Sequence, residues 1–138
     1  MMDTEPTLSA LLRRVNHDPA QGLQAALDAV SGQPHPRVAA IAAHLSATKR
    51  DLWTRIAHAT GTPTPPDDAG LHTLLSWEEE ACAALSAAQL DVTVPPTDPA
   101  SAGGEPPMTV AALLRLNAAL TTGRAAQIRR LAAQPRIA

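Results

Sequence analysis

The chain has 138 residues and a mass of 14.4 kDa, which leaves room for a single domain, residues 1–138, with one hydrophobic core. Eleven basic and 13 acidic residues give a formal net charge of −2, so no polyanionic partner is demanded and nucleic acid is not expected as one. Hydrophobic residues make up 45 %, but the aromatics are two Trp with no Phe and no Tyr; a core of Leu, Ile, Val and Ala favours helices over a sheet.

All the basic residues but one are Arg, the exception being Lys49; with abundant Ala and Pro, this usage suits a GC-rich bacterial genome. A single cysteine, Cys82, cannot form an internal disulfide and fits a reducing compartment. Met-Met-Asp-Thr-Glu-Pro opens acidic where a signal peptide would be basic, and no apolar run approaches the roughly 20 residues that cross a bilayer. A soluble, cytoplasmic, bacterial protein with no membrane association is the expectation.

Leu8, Leu11, Leu12 and Val15 fall at helical spacing and predict a short N-terminal helix ending near Asn16–His17. Asp18-Pro19 restarts the chain, with Asp18 as N-cap, Pro19 at the first helical position and Gln21 completing a capping box. Leu23, Ala26, Leu27 and Val30 give the second stripe, which Ser31-Gly32 stops. The spacing leaves open whether these two segments are one kinked helix or two. Gln33-Pro34-His35-Pro36 is a rigid turn. Val38, Ile41, Ala42, Leu45, Leu52 and Ile56 then trace one face of a helix of about 22 residues ending at Gly61. Thr62 to Asp68, with three prolines, is a connector. Leu71, Leu74, Leu75, Ala81, Cys82 and Leu85 mark the next helix, fading near Gln89. Asp91 to Met108 holds five prolines and two glycines, more than antiparallel neighbours need, and reads as a crossover with an extended piece or turn at Val92–Val94. Thr109 caps a last helix whose apolar face is Val110, Leu113, Leu114, Leu116, Leu120, Ile128 and Leu131, and Pro135 ends it. The expected fold is all-α: a four-helix bundle with a short extra N-terminal helical segment and a long Pro/Gly-rich crossover between the third and fourth main helices.

His44 flanks the buried stripe of its helix, with Thr48 and Asp51 on its face, and suits a metal ligand, a base or a hydrogen-bonded core histidine. A metal site needs three or more convergent ligands, and no His-x-x-x-His or Glu-x-x-His pair exists in the chain. Cys82, in mid-helix among alanines, reads as buried filler rather than a nucleophile. Glu78, Glu79 and Glu80 read as a solvated acidic face, except that Glu78 falls in line with Leu74, Leu75 and Leu85. It could reach inward as a ligand or pair with an Arg. Arg124, Arg129, Arg130 and Arg136 complement the dipole of the last helix.

Three stretches carry a family resemblance. Ile41-Ala42-Ala43-His44-Leu45 followed by Leu52-Trp53, then Leu74-Leu75-Ser76-Trp77-Glu78, and then Met108-Thr109-Val110-Ala111-Ala112-Leu113-Leu114 with Arg124-Ala125-Ala126-Gln127-Ile128 resemble the second, third and fourth helices of the DinB superfamily of bacterial four-helix bundles. The resemblance runs from about Pro19 to Leu131. It implies a divalent metal held by three histidines, one on the second helix and two, four residues apart, on the fourth; some members are thiol-dependent transferases. The two fourth-helix positions fall here on Leu120, which has no donor atom, and Arg124, whose charge is fixed. Only His44 keeps a family-type ligand, so the resemblance implies a degenerate metal site. Asn117, Thr121 and Arg124, at i, i+4 and i+7, would then face His44 in a polar pocket suited to a small anion or carboxylate bound through Arg124. The expectation is a metal-free, cofactor-free, non-catalytic DinB-like protein acting by small-ligand binding or homodimerisation. Its rival is a metal-dependent thiol S-transferase or isomerase that keeps nickel or zinc through His44 and non-standard ligands.

Overall fold

A computed structural model describes residues 7–30, 35–67, 70–95 and 107–133. The described chain is mostly helical, with helices α1 (Leu8–His17), α2 (Leu23–Asp28), α3 (Pro36–Thr60), α4 (Leu71–Ala84), α5 (Ala87–Leu90) and α6 (Val110–Ala133). Strands β1 (Thr93–Val94) and β2 (Met108–Thr109) pair antiparallel, Thr93 with Thr109 and Val94 with Met108.

Local chemistry sets most boundaries. Thr7 caps α1 by accepting the Ala10 N–H, and Thr109 caps α6 through the Ala112 N–H, both at 3.1 Å. At α3 the His35 ring accepts from the Val38 N–H, Pro36 takes the first turn, and the helix closes on Gly61 at φ 73°, a left-handed conformation that suits glycine. The expected cap at Asp18 is present in chemistry but not in consequence. Its carboxylate accepts the Ala20 and Gln21 N–H groups, yet these close only a turn, and α2 starts at Leu23 behind Gly22. The two N-terminal segments are therefore separate helices. At Gly22 the chain folds so tightly that a Cβ would lie 2.4 Å from the Asp18 nitrogen, so glycine is required by contact. The expected helix up to Gln89 also divides: Leu85 is extended, and Ser86 and Gln89 form a capping box that starts α5. The stop at Ser31-Gly32, the turn at Gln33-Pro34 and the end at Pro135 lie outside the described residues.

α1 packs on α4 and α6, and α3 packs on the same two helices, so the four long helices close a ring, with α2 covering α6. Their buried side chains form two apolar clusters. One gathers Leu12, Leu52, Trp53, Ile56, Cys82, Val94, Val110, Leu113 and Leu114; the other gathers Leu23, Ala26, Val38, Leu45, Leu75, Ala125, Ile128 and Leu131. Following the chain through the clusters gives the direction of each helix. α3 and α4 both begin in the second cluster and end in the first, whereas α1 leads out of the first towards the second and α6 runs the same way.

This order relocates the crossover. α3 and α4 run parallel, so the chain between Thr60 and Leu71 returns along the length of the helices. Ten residues reach about 33 Å when extended, enough to pass a 14-residue helix of about 21 Å. The Pro-rich composition of that connector suits an extended path. The segment from Asp91 to Met108 leaves through β1 and re-enters through β2 beside it, so its ends meet at one end of the helices. Residues 96–106 of that segment lie outside the described residues.

Candidate functional site

The most polar part of the interior is a layer between the two apolar clusters, and each long helix supplies it. Asn16 comes from α1, Lys49 from α3, Glu78 from α4, and Asn117 and Thr121 from α6; none is more than 2 % exposed. Each stands at helical spacing from apolar neighbours: Leu12 then Asn16; Leu45, Lys49, Leu52; Leu74, Glu78, Cys82; Leu113, Asn117, Thr121, Ala125. The period that buries the leucines buries these residues with them.

Lys49 and Glu78 form the centre. The Lys49 ammonium donates at 2.8 Å to Glu78 Oε2, at 2.7 Å to Asn117 Oδ1 and at 2.8 Å to Thr121 Oγ1, which uses all three of its N–H bonds. Glu78 Oε2 also accepts from Asn16 Nδ2 at 2.9 Å. Its Oε1 accepts from Trp53 Nε1 at 3.0 Å and Asn117 Nδ2 at 2.9 Å. A carboxylate offers about four acceptor positions, and all are filled. Thr121 completes its own set by donating to the Asn117 carbonyl. Burial pushes the Lys49 ammonium below its ordinary 10.5, and the adjoining Glu78 carboxylate opposes that shift.

A second carboxylate leads outward from this centre. Glu79, 7 % exposed, accepts from Asn16 Nδ2 at 3.2 Å, meets His17 Nε2 at 2.7 Å, and has Arg13 Nε at 3.6 Å. Asn16 is thus a bridge, its amide nitrogen turned to both carboxylates. Its Oδ1 has no partner among the described residues, because the opposite amide orientation would set oxygen against two carboxylates.

The structure distributes the expected site residues differently. Asn117 and Thr121 do belong to one interior constellation, but the residue of α3 that reaches them is Lys49, five positions beyond His44. His44 itself is exposed, and its carbonyl accepts from Thr48 Oγ1. Arg124 is half-buried and donates to Gln127 Oε1 on its own helix at 3.0 Å. His44, Asn117, Thr121 and Arg124 therefore do not gather into one pocket. Glu78 does reach inward, and its partner is the lone lysine instead of an arginine. Glu79 follows it, leaving only Glu80 of the acidic run exposed, because Arg13, Asn16 and His17 on α1 meet that face of α4. Among the described residues no group of three or more His, Cys, Asp or Glu side chains could hold a metal ion.

Cys82 is buried, and that burial, with Glu78 nearby, raises its thiol from 9.0 to about 11. At neutral pH a thiol-specific reagent is expected to label it only as fast as the protein opens, and labelling at the rate of a free thiol would contradict this placement. Because the folded thiol holds its proton more tightly, its contribution to stability is complete below pH 9.0 and is lost as pH rises through about 11. A Cys82→Ala variant should show a flatter alkaline limb in denaturant melts.

Chemically, the interior layer is a closed salt bridge with every strong donor and acceptor of its two charges engaged. Among the described residues of the layer, Asn16 Oδ1 is the side-chain polar atom left without a partner. No protein-family model, curated protein or solved structure matches this chain.

Proposed function

We propose that this chain is a DinB-like four-helix bundle whose interior is metal-free and non-catalytic, and that it acts by binding a small ligand. The saturation of Lys49 and Glu78 supports the metal-free part of this reading, and the cleft beside Trp53 and Trp77 supports the ligand-binding part. A divalent ion between these helices would have to displace an ammonium already held by three acceptors, and would meet its positive charge. A built-in cation replaces an acquired one. Cys82, a free and buried thiol, suits the reducing interior of a bacterial cell.

Homodimerisation is the weaker form of the binding reading. Leu116, 42 % exposed, is the large hydrophobic side chain left exposed among the described residues, and one such residue makes a small patch beside the roughly 1,200–2,000 Å² of a stable interface. The small anionic ligand expected through Arg124 loses its support because Arg124 is engaged with Gln127.

Metal analysis of protein purified without an affinity tag tests the proposal. We expect nickel and zinc well below one equivalent, unchanged in His44→Ala. Stoichiometric metal that disappears in His44→Ala would instead establish the metal-dependent transferase or isomerase.

A further inference from the structure

The chain has two aromatic residues, and both line one surface cleft. Trp53 on α3 and Trp77 on α4 meet edge to face, with ring centroids 5.4 Å apart and planes at 90°. Beside them is a cleft of about 240 Å³, lined by Thr62 and Pro63 of the connector and by Glu80, Ala81 and Ala84 of α4. Trp77, Glu80, Ala81 and Ala84 stand at i, i+3, i+4 and i+7, so one face of α4 supplies most of the site.

Three features select the occupant. The cleft is smaller than the roughly 300–1,000 Å³ typical of drug-sized ligands, so the ligand is small. Apart from Thr62 and Glu80, its walls are indole, proline and alanine, which favour methyl or methylene groups over a hydrated ion. Glu80 is exposed, and no described residue pairs with it, whereas Glu78 and Glu79 are both engaged in the interior. An uncompensated carboxylate beside indole rings attracts a cation twice, through its charge and through the negative ring face. The hydrogen bond from Trp53 Nε1 to Glu78 holds the deeper ring in place before any ligand arrives.

We propose that this cleft binds a small organic cation bearing an alkylated ammonium group. The inference deepens the ligand-binding reading above by giving it a chemical class. It does not depend on the family resemblance or on the metal content.

Intrinsic tryptophan fluorescence reports this cleft directly, since both Trp residues line it and the chain has no Tyr. Titration of the full chain with choline chloride, against sodium chloride at matched ionic strength, is expected to give a saturable change. The neutral isostere 3,3-dimethylbutan-1-ol should bind more weakly. Glu80→Gln should weaken choline about two- to fivefold, the size of an exposed charge pair. Trp77→Leu, checked for retained helicity by circular dichroism, should abolish saturation as followed by Trp53 emission or calorimetry. A choline response no different from sodium chloride, equal binding of the neutral alcohol, or unaltered affinity in both variants would each overturn the proposal. Any of these with metal content still negligible would leave the metal-free interior standing.

Discussion

Replacing Lys49 by Met is expected to lower the free energy of unfolding by about 3–5 kcal/mol, measured by urea or guanidinium melts. The substitution keeps most of the side-chain volume but leaves the Glu78 carboxylate in the interior without its counter-charge, and removes the donor to Asn117 and Thr121. Against the 5–15 kcal/mol typical of a domain, this is a large fraction. Glu78→Gln should be damaging for the mirror-image reason. In the double variant Lys49→Met/Glu78→Gln no charge is left buried, so its loss should be clearly smaller than the sum of the two single losses. Equal additivity would show that the pair is not coupled in the folded protein. The pH dependence carries a matching sign. The folded Lys49 loses its proton more readily than the unfolded one, so the unfolded state binds more protons between the depressed value and 10.5, and stability rises with pH across that window. Cys82 opposes it at the alkaline end, so the slope is best measured in Cys82→Ala, where Lys49→Met should remove it.

Truncating Leu75 or Leu114 to Ala is expected to cost about 2–5 kcal/mol each, since both are fully buried. The two leucines belong to different apolar clusters with the polar layer between them. Their losses should therefore add to within about 0.5 kcal/mol in the double variant. A strong interaction between them would mean that the interior behaves as one continuous apolar core, and that the polar layer does not divide it.

The layer also bears on how the helices find their places. A buried ion pair contributes little net stability over apolar packing, because desolvating two charges offsets their attraction. What it does impose is alignment. Slide α3 by one turn against α4, about 5.4 Å, and the ammonium faces leucine instead of Glu78. In a chain whose core is Ala and Leu, with few large shapes to interlock, this polar match is the specific feature that distinguishes one register from the next.

Much of the fold was legible. Stripes such as Val38–Leu45–Leu52–Ile56 are the arithmetic of a 3.6-residue period, and Gly61 and Thr109 mark helix ends through hydrogen bonds made within a few residues. The interior site was only half legible. Asn117 and Thr121 share a helical face by spacing, whereas Glu78, in line with Leu74 and Leu85, sits in an acidic run that reads first as a solvated face. Lys49 keeps the period as well, four residues after Leu45 and three before Leu52, and is the only lysine beside ten arginines. A charged residue at an apolar position of a stripe was the available signal. His44 stands out by its chemistry, yet it lies off that line and is exposed.

By itself the sequence determined the helical class, the positions of the long helices, and a core without Phe or Tyr, since these follow from composition, period and local capping. Tertiary structure alone decided which polar residues meet: the partners of Lys49 (Glu78, Asn117 and Thr121) lie 29 to 72 residues from it, and Asn16 lies 62 from Glu78. It also decided that the crossover joins α3 to α4, because the direction of a helix depends on which cluster its ends enter. Stripe and cap act over a few residues. Pairing across the ring depends on how four separate stripes are brought together, and no window along the chain contains that.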